Sequence, residues 1–411
     1  MKIVTCVAPI NMAVIKYCKC PWLIFYILTR CEIFFHCFLG GKRDDDLILP
    51  INDSLSASLN THVMCAKTTI MSSPNLKENK FWLNGKEQTF NSPRLNSCLK
   101  AIKDRCDQSL PHLNWSISIC SENNFPTAAG LASSAAGYAC LVYALAKLYG
   151  IEGEISDIAR QGSGSACRSI YGGWVQWHKG SSPLGLDSIA QQLFPANHWP
   201  EMRILILVVN DTRKKYSSTI AMKRSVDTST LIHHRANRVV PERIQTLSRA
   251  IAEKDFATFA EIAMKDSNQL HAICLDTFPP CVYMNDVSHA IVSVVHAFNE
   301  YKNDIKAAYT CDAGSNVCIY LLESEVQDLV SWINYVFPKS ADITQQEYYR
   351  GLPLEQRNMD KAVFEGLNIT PFDVDLLKYI IHTNVGDGPE VLKDEQAHLL
   401  DDNGCPKSLH F

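Results

Sequence analysis

The stretch Asn123-Asn-Phe-Pro-Thr-Ala-Ala-Gly-Leu-Ala-Ser-Ser-Ala-Ala-Gly137 constrains this chain more than any other part of it. It follows Trp115-Ser-Ile-Ser-Ile-Cys120, whose alternation reads as a strand, and it opens a segment from Ser133 to Tyr149. There Ala135, Ala136, Ala139, Cys140, Val142, Tyr143, Ala146 and Leu148 predict a helix apolar on most sides, which must be buried. Side chains at Ala128, Ala129, Gly130 and Ala132 are small enough for a ligand to reach the backbone of the turn. Ser133 and Ser134 place hydroxyls where the unpaired N–H groups of a new helix point outward. An anion, and a phosphate in particular, suits that chemistry. A simple turn with a serine cap explains Gly130 and one serine, but not the run of small side chains. No Gly-Lys-[Ser/Thr] follows the glycine, so the segment is not a Walker A loop.

Around this centre the pattern is mixed. Met1 to Pro9 reads as a first strand, with further short strands at Leu47 to Ile51, Ser54 to Leu59, Thr68 to Met71 and Lys80 to Leu83, the last ending in an Asn84-Gly85 turn. Leu95, Cys98, Leu99 and Ile102 form a helical stripe between Arg94 and Asp104. Arg203 to Val209 is a continuous apolar strand, and His198-Trp-Pro200 before it marks a domain boundary. Beyond it lie helices at Pro241 to Ala252, Phe256 to Leu270 and Val326 to Val336, with strands at Lys306 to Thr310, Val317 to Leu322 and Leu377 to His382. The expectation is an α+β chain of two domains, residues 1–200 and 201–411.

A net charge of −4 gives no electrostatic reason to expect nucleic acid as a partner. The sixteen cysteines are scattered, with no paired CxxC and no zinc spacing, so they read as free thiols packed as small hydrophobes in a reducing cytoplasm. The termini carry no secretory, prenylation or retention signal. One segment stands apart. Residues 18–40 are far more aromatic and apolar than their flanks. The run Trp22 to Leu28 is too short to cross a bilayer, and Arg30, Glu32 and His36 would lie near the middle of any span. Lys16-Tyr17 and Gly41-Lys-Arg-Asp44 look like two halves of one loop, so the segment reads as an insertion into a functional turn.

The pattern Pro126-x-x-x-Gly130-Leu-x-Ser-Ser-Ala135 resembles the phosphate-binding signature of the GHMP kinases. Ala8-Pro-Ile-Asn11, Val14-Ile-Lys-Tyr17, Leu49-Pro-Ile-Asn52, Ser163-Gly-Ser-Ala-Cys-Arg-Ser169, Met264-Lys-Asp-Ser-Asn268 and Tyr309-Thr-Cys-Asp-Ala-Gly314 narrow the resemblance to the mevalonate diphosphate decarboxylases. It covers nearly the whole chain outside residues 18–40. It implies a GHMP fold of two lobes with the active site in the cleft between them, and ATP-dependent decarboxylation of mevalonate 5-diphosphate to isopentenyl diphosphate, ADP, phosphate and CO2. It also implies a cytoplasmic homodimer using ATP and Mg2+. Two other readings stand beside it: a GHMP kinase that phosphorylates without decarboxylating, and a non-catalytic or membrane-associated form disabled by the insertion.

The reaction must turn a tertiary hydroxyl into a leaving group while gripping a diphosphate and a carboxylate. Ser163, Gly164, Ser165, Ala166, Cys167 and Arg168 put two hydroxyls and a guanidinium on one segment suited to that grip. By resemblance Arg168 orients the carboxylate, and Asp312 accepts or polarises the proton of the 3-hydroxyl as its oxygen attacks the γ-phosphate. Asn11, Lys16, Tyr17 and Lys42 would reach the substrate diphosphate, with Arg94, Ser218 and Thr219 as further contacts. Pro126, Ala129, Gly130, Leu131, Ser133 and Ser134 would bind the nucleotide, Ser134 near the ATP phosphates or their metal. No protein metal ligand is assigned. Without the resemblance, Arg168 reads equally well as an exposed arginine at a helix start, and Asp312 as an ordinary turn former. The family runs Tyr-Trp-Gly-Lys-Arg-Asp without interruption, and here the insertion replaces the tryptophan. A longer loop adds only about 0.6 kcal/mol of closure cost per doubling. The exposed apolar side chains are the greater burden.

Overall fold

The computed structural model describes residues 1–17, 47–125, 133–209, 224–354, 364 and 369–407. The insertion at 18–40 lies outside the described residues, as do Lys42, Pro126, Ala129, Gly130, Leu131, Ser218 and Thr219.

Three sheets carry the described chain. β1 (Lys2–Pro9), β4 (Cys65–Ser73), β5 (Lys80–Leu83), β6 (Lys86–Gln88), β7 (Ser116–Asn123) and β15 (Glu390–Val391) form one sheet in the order β15-β1-β4-β7-β5-β6. β2 (Asn11–Ile15), β3 (Ser54–Ser58), β8 (Trp174–Trp177) and β9 (Ala190–Phe194) form a second, in that order. β10 (Met202–Val208), β11 (Ala307–Cys311), β12 (Val317–Leu322), β13 (Tyr349–Gly351) and β14 (Tyr379–Asn384) form the third, ordered β11-β12-β10-β14-β13. Strands and helices are thus mixed without a regular βαβ repeat, as an α+β reading expects.

Local chemistry explains most boundaries. Asn84 and Gly85 both take positive φ, the requirement of the two-residue hairpin joining β5 to β6. In α1 (Pro93–Arg105) the buried residues are Leu95, Cys98, Leu99 and Ile102, the expected stripe. α2 (Ser133–Tyr149) buries most of its length, and its alanines let it lie close against β1 and β4. α3 (Ser156–Gly162) leads straight into a 3-10 turn, Gly164–Ile170. Gly162 is obligatory there, since a Cβ would fall 2.1 Å from the ring of Tyr138 on α2. In the second half, Leu231–His234 continues through a π turn, Arg235–Val239, into the helix Val240–Glu253. The helix Phe256–Asp276 runs six residues past its expected end. The helix Asp286–Tyr301 was not among the expected elements, although its Asn285/Ser288 capping box and buried Ile291, Val294, Val295 and Phe298 follow helical spacing.

The halves share one apolar core. Trp174 of β8 meets Phe259 edge-on at 5.4 Å, and Phe259 meets Tyr320 of β12 at 5.3 Å. The C-terminal segment returns to the first sheet: β15 pairs with β1, Leu399 N–H donates to Thr69 Oγ1, and His398 Nδ1 contacts Thr5 Oγ1 at 2.8 Å. All twelve described cysteines are free, and ten are buried. Burial pushes the thiols of Cys98 and Cys167 up to about 12, as expected of packing groups rather than nucleophiles. Among the described residues no helix is long and apolar enough to cross a membrane.

Candidate active site

β2 is the strand on which the site is built. Its register with β3 slips between Ala13 and Ile15, a bulge that twists the strand just before Lys16. Its outer carbonyls are taken up by the second half of the chain: Tyr320 OH donates to Met12 O at 3.0 Å and Thr310 Oγ1 to Ala13 O at 3.4 Å. The end of β2 is thereby set against the end of β11. Across this junction Lys16 Nζ meets Asp312 Oδ1 at 2.5 Å, with the lysine side chain 4% exposed and the aspartate 28%. A charged pair that is buried on one side and open on the other can face a polar ligand.

Arg168 lies beside this pair, inside the 3-10 turn, and is 1% exposed. It is not an exposed arginine at a helix start. Its Nε donates to Ser56 Oγ at 3.0 Å, Nη1 to Ser54 Oγ at 2.6 Å and Nη2 to Asn11 Oδ1 at 3.1 Å. Its guanidinium sits 5.2 Å from the Tyr17 ring and 5.8 Å from that of Trp177, and these two rings meet edge-on at 4.8 Å. Burial lowers its pKa from the usual arginine value, and Asp312 is among the groups that oppose that shift. The three bonded partners are neutral, and no carboxylate among the described residues forms an ion pair with it. Among the described residues three of its five donors are in use, and the other two can serve an anionic ligand.

Asn11 ties this cation to the rest of the segment, its amide donating to Ser169 Oγ at 2.7 Å and to Ser165 O at 2.9 Å. Gly164, Ala166 and Cys167 are buried, Ser165 is half-buried, and Ser163 is 2% exposed. The Ser163 hydroxyl lies 3.2 Å from that of Ser134 in the first turn of α2, beside Ser133. The serine-rich start of α2 and the Ser163–Arg168 segment therefore meet. Arg94 sits half-buried in the first turn of α1, near Cys98 and Tyr138, rather than at the Lys16–Asp312 pair.

Sequence reasoning missed several supporting groups. Ser54 and Ser56 were read only as strand residues, yet their alternation puts two hydroxyls on one buried face of β3. Buried polar side chains repeating every second residue were the available signal. His271 also escaped notice: its Nε2 lies 3.3 Å from Cys311 O, and burial, aided by Lys16, depresses its pKa to about 4.

Two family models match the chain. The diphosphomevalonate decarboxylase-like N-terminal domain covers residues 37–190, and the mevalonate 5-diphosphate decarboxylase C-terminal domain covers 204–392. The diphosphomevalonate decarboxylase of Danio rerio is 46% identical over 413 residues, 99% of this chain and 97% of that protein. The chain belongs to the diphosphomevalonate decarboxylase family. The solved mevalonate diphosphate decarboxylase from Trypanosoma brucei superposes on the decarboxylase with a TM-score of 0.80 at 34% identity, over 96% of this chain and 99% of that one. A solved complex of MDDEF with MVAPP, AMPPCP and magnesium is 26% identical, with a TM-score of 0.70 over 96% and 100% of the two chains. The GHMP fold and the carboxy-lyase reading are borne out, and these relatives favour a decarboxylase over a GHMP kinase without decarboxylation. The N-terminal match begins only at residue 37, so Asn11, Lys16 and Tyr17 of the decarboxylase lie ahead of it.

Proposed function

We propose that the decarboxylase carries out its ATP-dependent conversion of mevalonate 5-diphosphate to isopentenyl diphosphate at the Lys16–Asp312 pair and Arg168. The observation that carries this reading is the meeting of an acidic side chain, a buried lysine and a buried arginine whose bonded partners among the described residues are all neutral. Asp312 takes the proton of the 3-hydroxyl as that oxygen becomes the nucleophile. Lys16 holds the Asp312 carboxylate in place and balances its charge. Arg168 receives the substrate carboxylate on its two remaining donors, so the C–C bond that breaks is aligned with the departing C–O bond. Tyr17 and Trp177 flank the guanidinium and keep water from it.

The exposed Ser134 hydroxyl beside Ser133 at a helix start fits a nucleotide phosphate, and these residues with 126–131 would hold ATP. Bound with Mg2+, ATP supplies the phosphoryl group that makes the hydroxyl a leaving group. The relative solved with AMPPCP and magnesium supports both. Ser163, Gly164, Ser165, Ala166, Cys167 and Asn11 would line the diphosphate end, with Tyr17, Lys42, Arg94, Ser218 and Thr219 as further contacts. Residues 1–200 and 201–411 form the two lobes of the reading, with the last segment folded back on the first. A cytoplasmic homodimer rests on family resemblance, and sedimentation tests the dimer.

The direct test gives the purified chain mevalonate 5-diphosphate, ATP and Mg2+ and measures CO2 and ADP. Equal release supports decarboxylation. ADP without CO2 supports the kinase alternative, and neither product supports a form disabled by the insertion.

A further inference from the structure

Met264-Lys-Asp-Ser-Asn268 helped to identify the family, yet none of its side chains enters the chemistry above. We propose that Asp266 is a positioning residue of the reaction: it fixes the Lys16 peptide and so holds the Lys16–Asp312 pair in register. The inference rests on the reading of Asp312 as proton acceptor and deepens it.

β2 ends at Ile15, so the Lys16 peptide has no place in its strand ladder. Both of its polar groups are held by buried side chains instead. Lys16 N–H donates to Asp266 Oδ2 at 3.0 Å. Lys16 O accepts from Arg235 Nη2 at 2.9 Å and from Asn52 Nδ2 at 3.2 Å. Arg235 also grips Asp266 with two prongs, each 2.8 Å long, and Arg243 Nη1 reaches Asp266 Oδ1 at 2.9 Å. Gln269 Oε1 accepts from both arginines. The side chains of Asp266 and Arg235 are both fully buried. Arg235 opens the π turn in its helix, a deviation that shifts side chains by one position and recurs at functional sites.

The helix that carries Asp266, Phe256–Asp276, also holds the other half of the pair. Ser267 Oγ accepts from Cys311 N–H at 2.9 Å, and His271 Nε2 contacts Cys311 O at 3.3 Å. The side-chain Oδ1 of Asn268 accepts from Tyr309 OH at 2.9 Å. One helix, Phe256–Asp276, therefore grips the peptide of Lys16 from one lobe and the peptide before Asp312 from the other. Among the described residues, the groups that act on Asp312 include Lys16 just past β2, Arg168 from the 3-10 turn, His271 from the helix Phe256–Asp276, Cys311 at the end of β11, and Cys318 and Tyr320 from β12. Of these, Asp266 tethers only Lys16.

The experiment compares Asp266→Asn, Ser267→Ala and Asp312→Asn with the parent chain in steady-state assays across pH. Asp266→Asn sets an NH2 where one of the two oxygens accepts, against the donors of Lys16 or of the two arginines, and the displacement of about 1 Å that this forces on the Lys16 peptide lowers kcat about 50-fold. KM for ATP and for mevalonate 5-diphosphate stays within about threefold, and the acid limb of kcat against pH moves upward as Asp312 loses its cation. Ser267→Ala removes no charge and lowers kcat about tenfold with the same KM pattern. Near-parental kcat in Asp266→Asn, or a loss with an unmoved acid limb and both KM values raised, overturns the proposal. Should Asp266→Asn fail to fold, Asp266→Glu, which keeps a carboxylate for Arg235 and Arg243 but moves it relative to the Lys16 N–H, decides, and kcat within about twofold of the parent overturns it. Near-parental turnover in Asp312→Asn removes the proton-acceptor reading itself. An inactive Asp312→Asn beside an unaffected Asp266→Asn removes only the tether.

Discussion

Replacing Arg168 with lysine keeps the charge and removes the fork. The guanidinium now spans three acceptors, Ser56 Oγ, Ser54 Oγ and Asn11 Oδ1, from three different nitrogens. One tetrahedral ammonium on a stem without the planar fork satisfies at most one of them in the same geometry. Two charge-assisted hydrogen bonds are lost, each worth about 1.5 kcal/mol or more, so stability falls by about 3 kcal/mol. The ammonium also makes one contact to the substrate carboxylate where the fork makes two. Losing one prong in a water-poor site costs about 1.5 to 3 kcal/mol of transition-state stabilisation, or about 10- to 100-fold in kcat/KM. The assay is coupled ADP release with mevalonate 5-diphosphate varied at saturating ATP, together with a thermal melt. The reasoning predicts a lowered Tm, lowered kcat/KM for mevalonate 5-diphosphate, and an unchanged KM for ATP. A kcat/KM within about threefold of the parent would refute it, because the two remaining donors would then not be engaged by substrate.

Gly162→Ala drives a methyl into the Tyr138 ring and costs about 1 to 3 kcal/mol of stability, checked by denaturant titration, and Tyr138→Ala in the same chain should recover most of it. His271 is held neutral, its pKa depressed to about 4 by burial, so on acidification the unfolded chain takes up that proton first. Stability should therefore decline from about pH 6.5 towards pH 4, by up to about 3 kcal/mol, and His271→Gln should flatten that stretch of a Tm against pH curve. Deleting residues 18–40 and placing a tryptophan between Tyr17 and Gly41 restores the family's unbroken run, and should raise both soluble yield and CO2 release.

The parts of the fold legible in the sequence were those where one periodicity meets one boundary. α1, α2, β10, β12 and the helix Val326–Val336 each match their apolar pattern to within a residue or two at either end. The pairing of β15 with β1 could not be read, since two exposed residues carry no pattern of their own. The site divided along the same line. Arg168, Ser134 and Ser163 announced themselves by clustering with glycine and hydroxyl residues. Lys16 and Asp312 each follow directly on a strand, β2 and β11, from opposite halves, and only tertiary packing joins them. Asp266 and Arg235 were invisible as a pair for that reason, although a charged residue among Ala263, Met264 and Ser267 on a buried helix face marks a group that must find a partner.

The most direct test is a crystal structure of the chain with mevalonate 5-diphosphate, a non-hydrolysable ATP analogue and Mg2+. It should show an Asp312 carboxylate oxygen within hydrogen-bond reach of the 3-hydroxyl, Arg168 in contact with the substrate carboxylate, and Lys16 still at Asp312. A complex in which Asp312 faces away from that hydroxyl, or Arg168 touches no part of the substrate, would contradict the account.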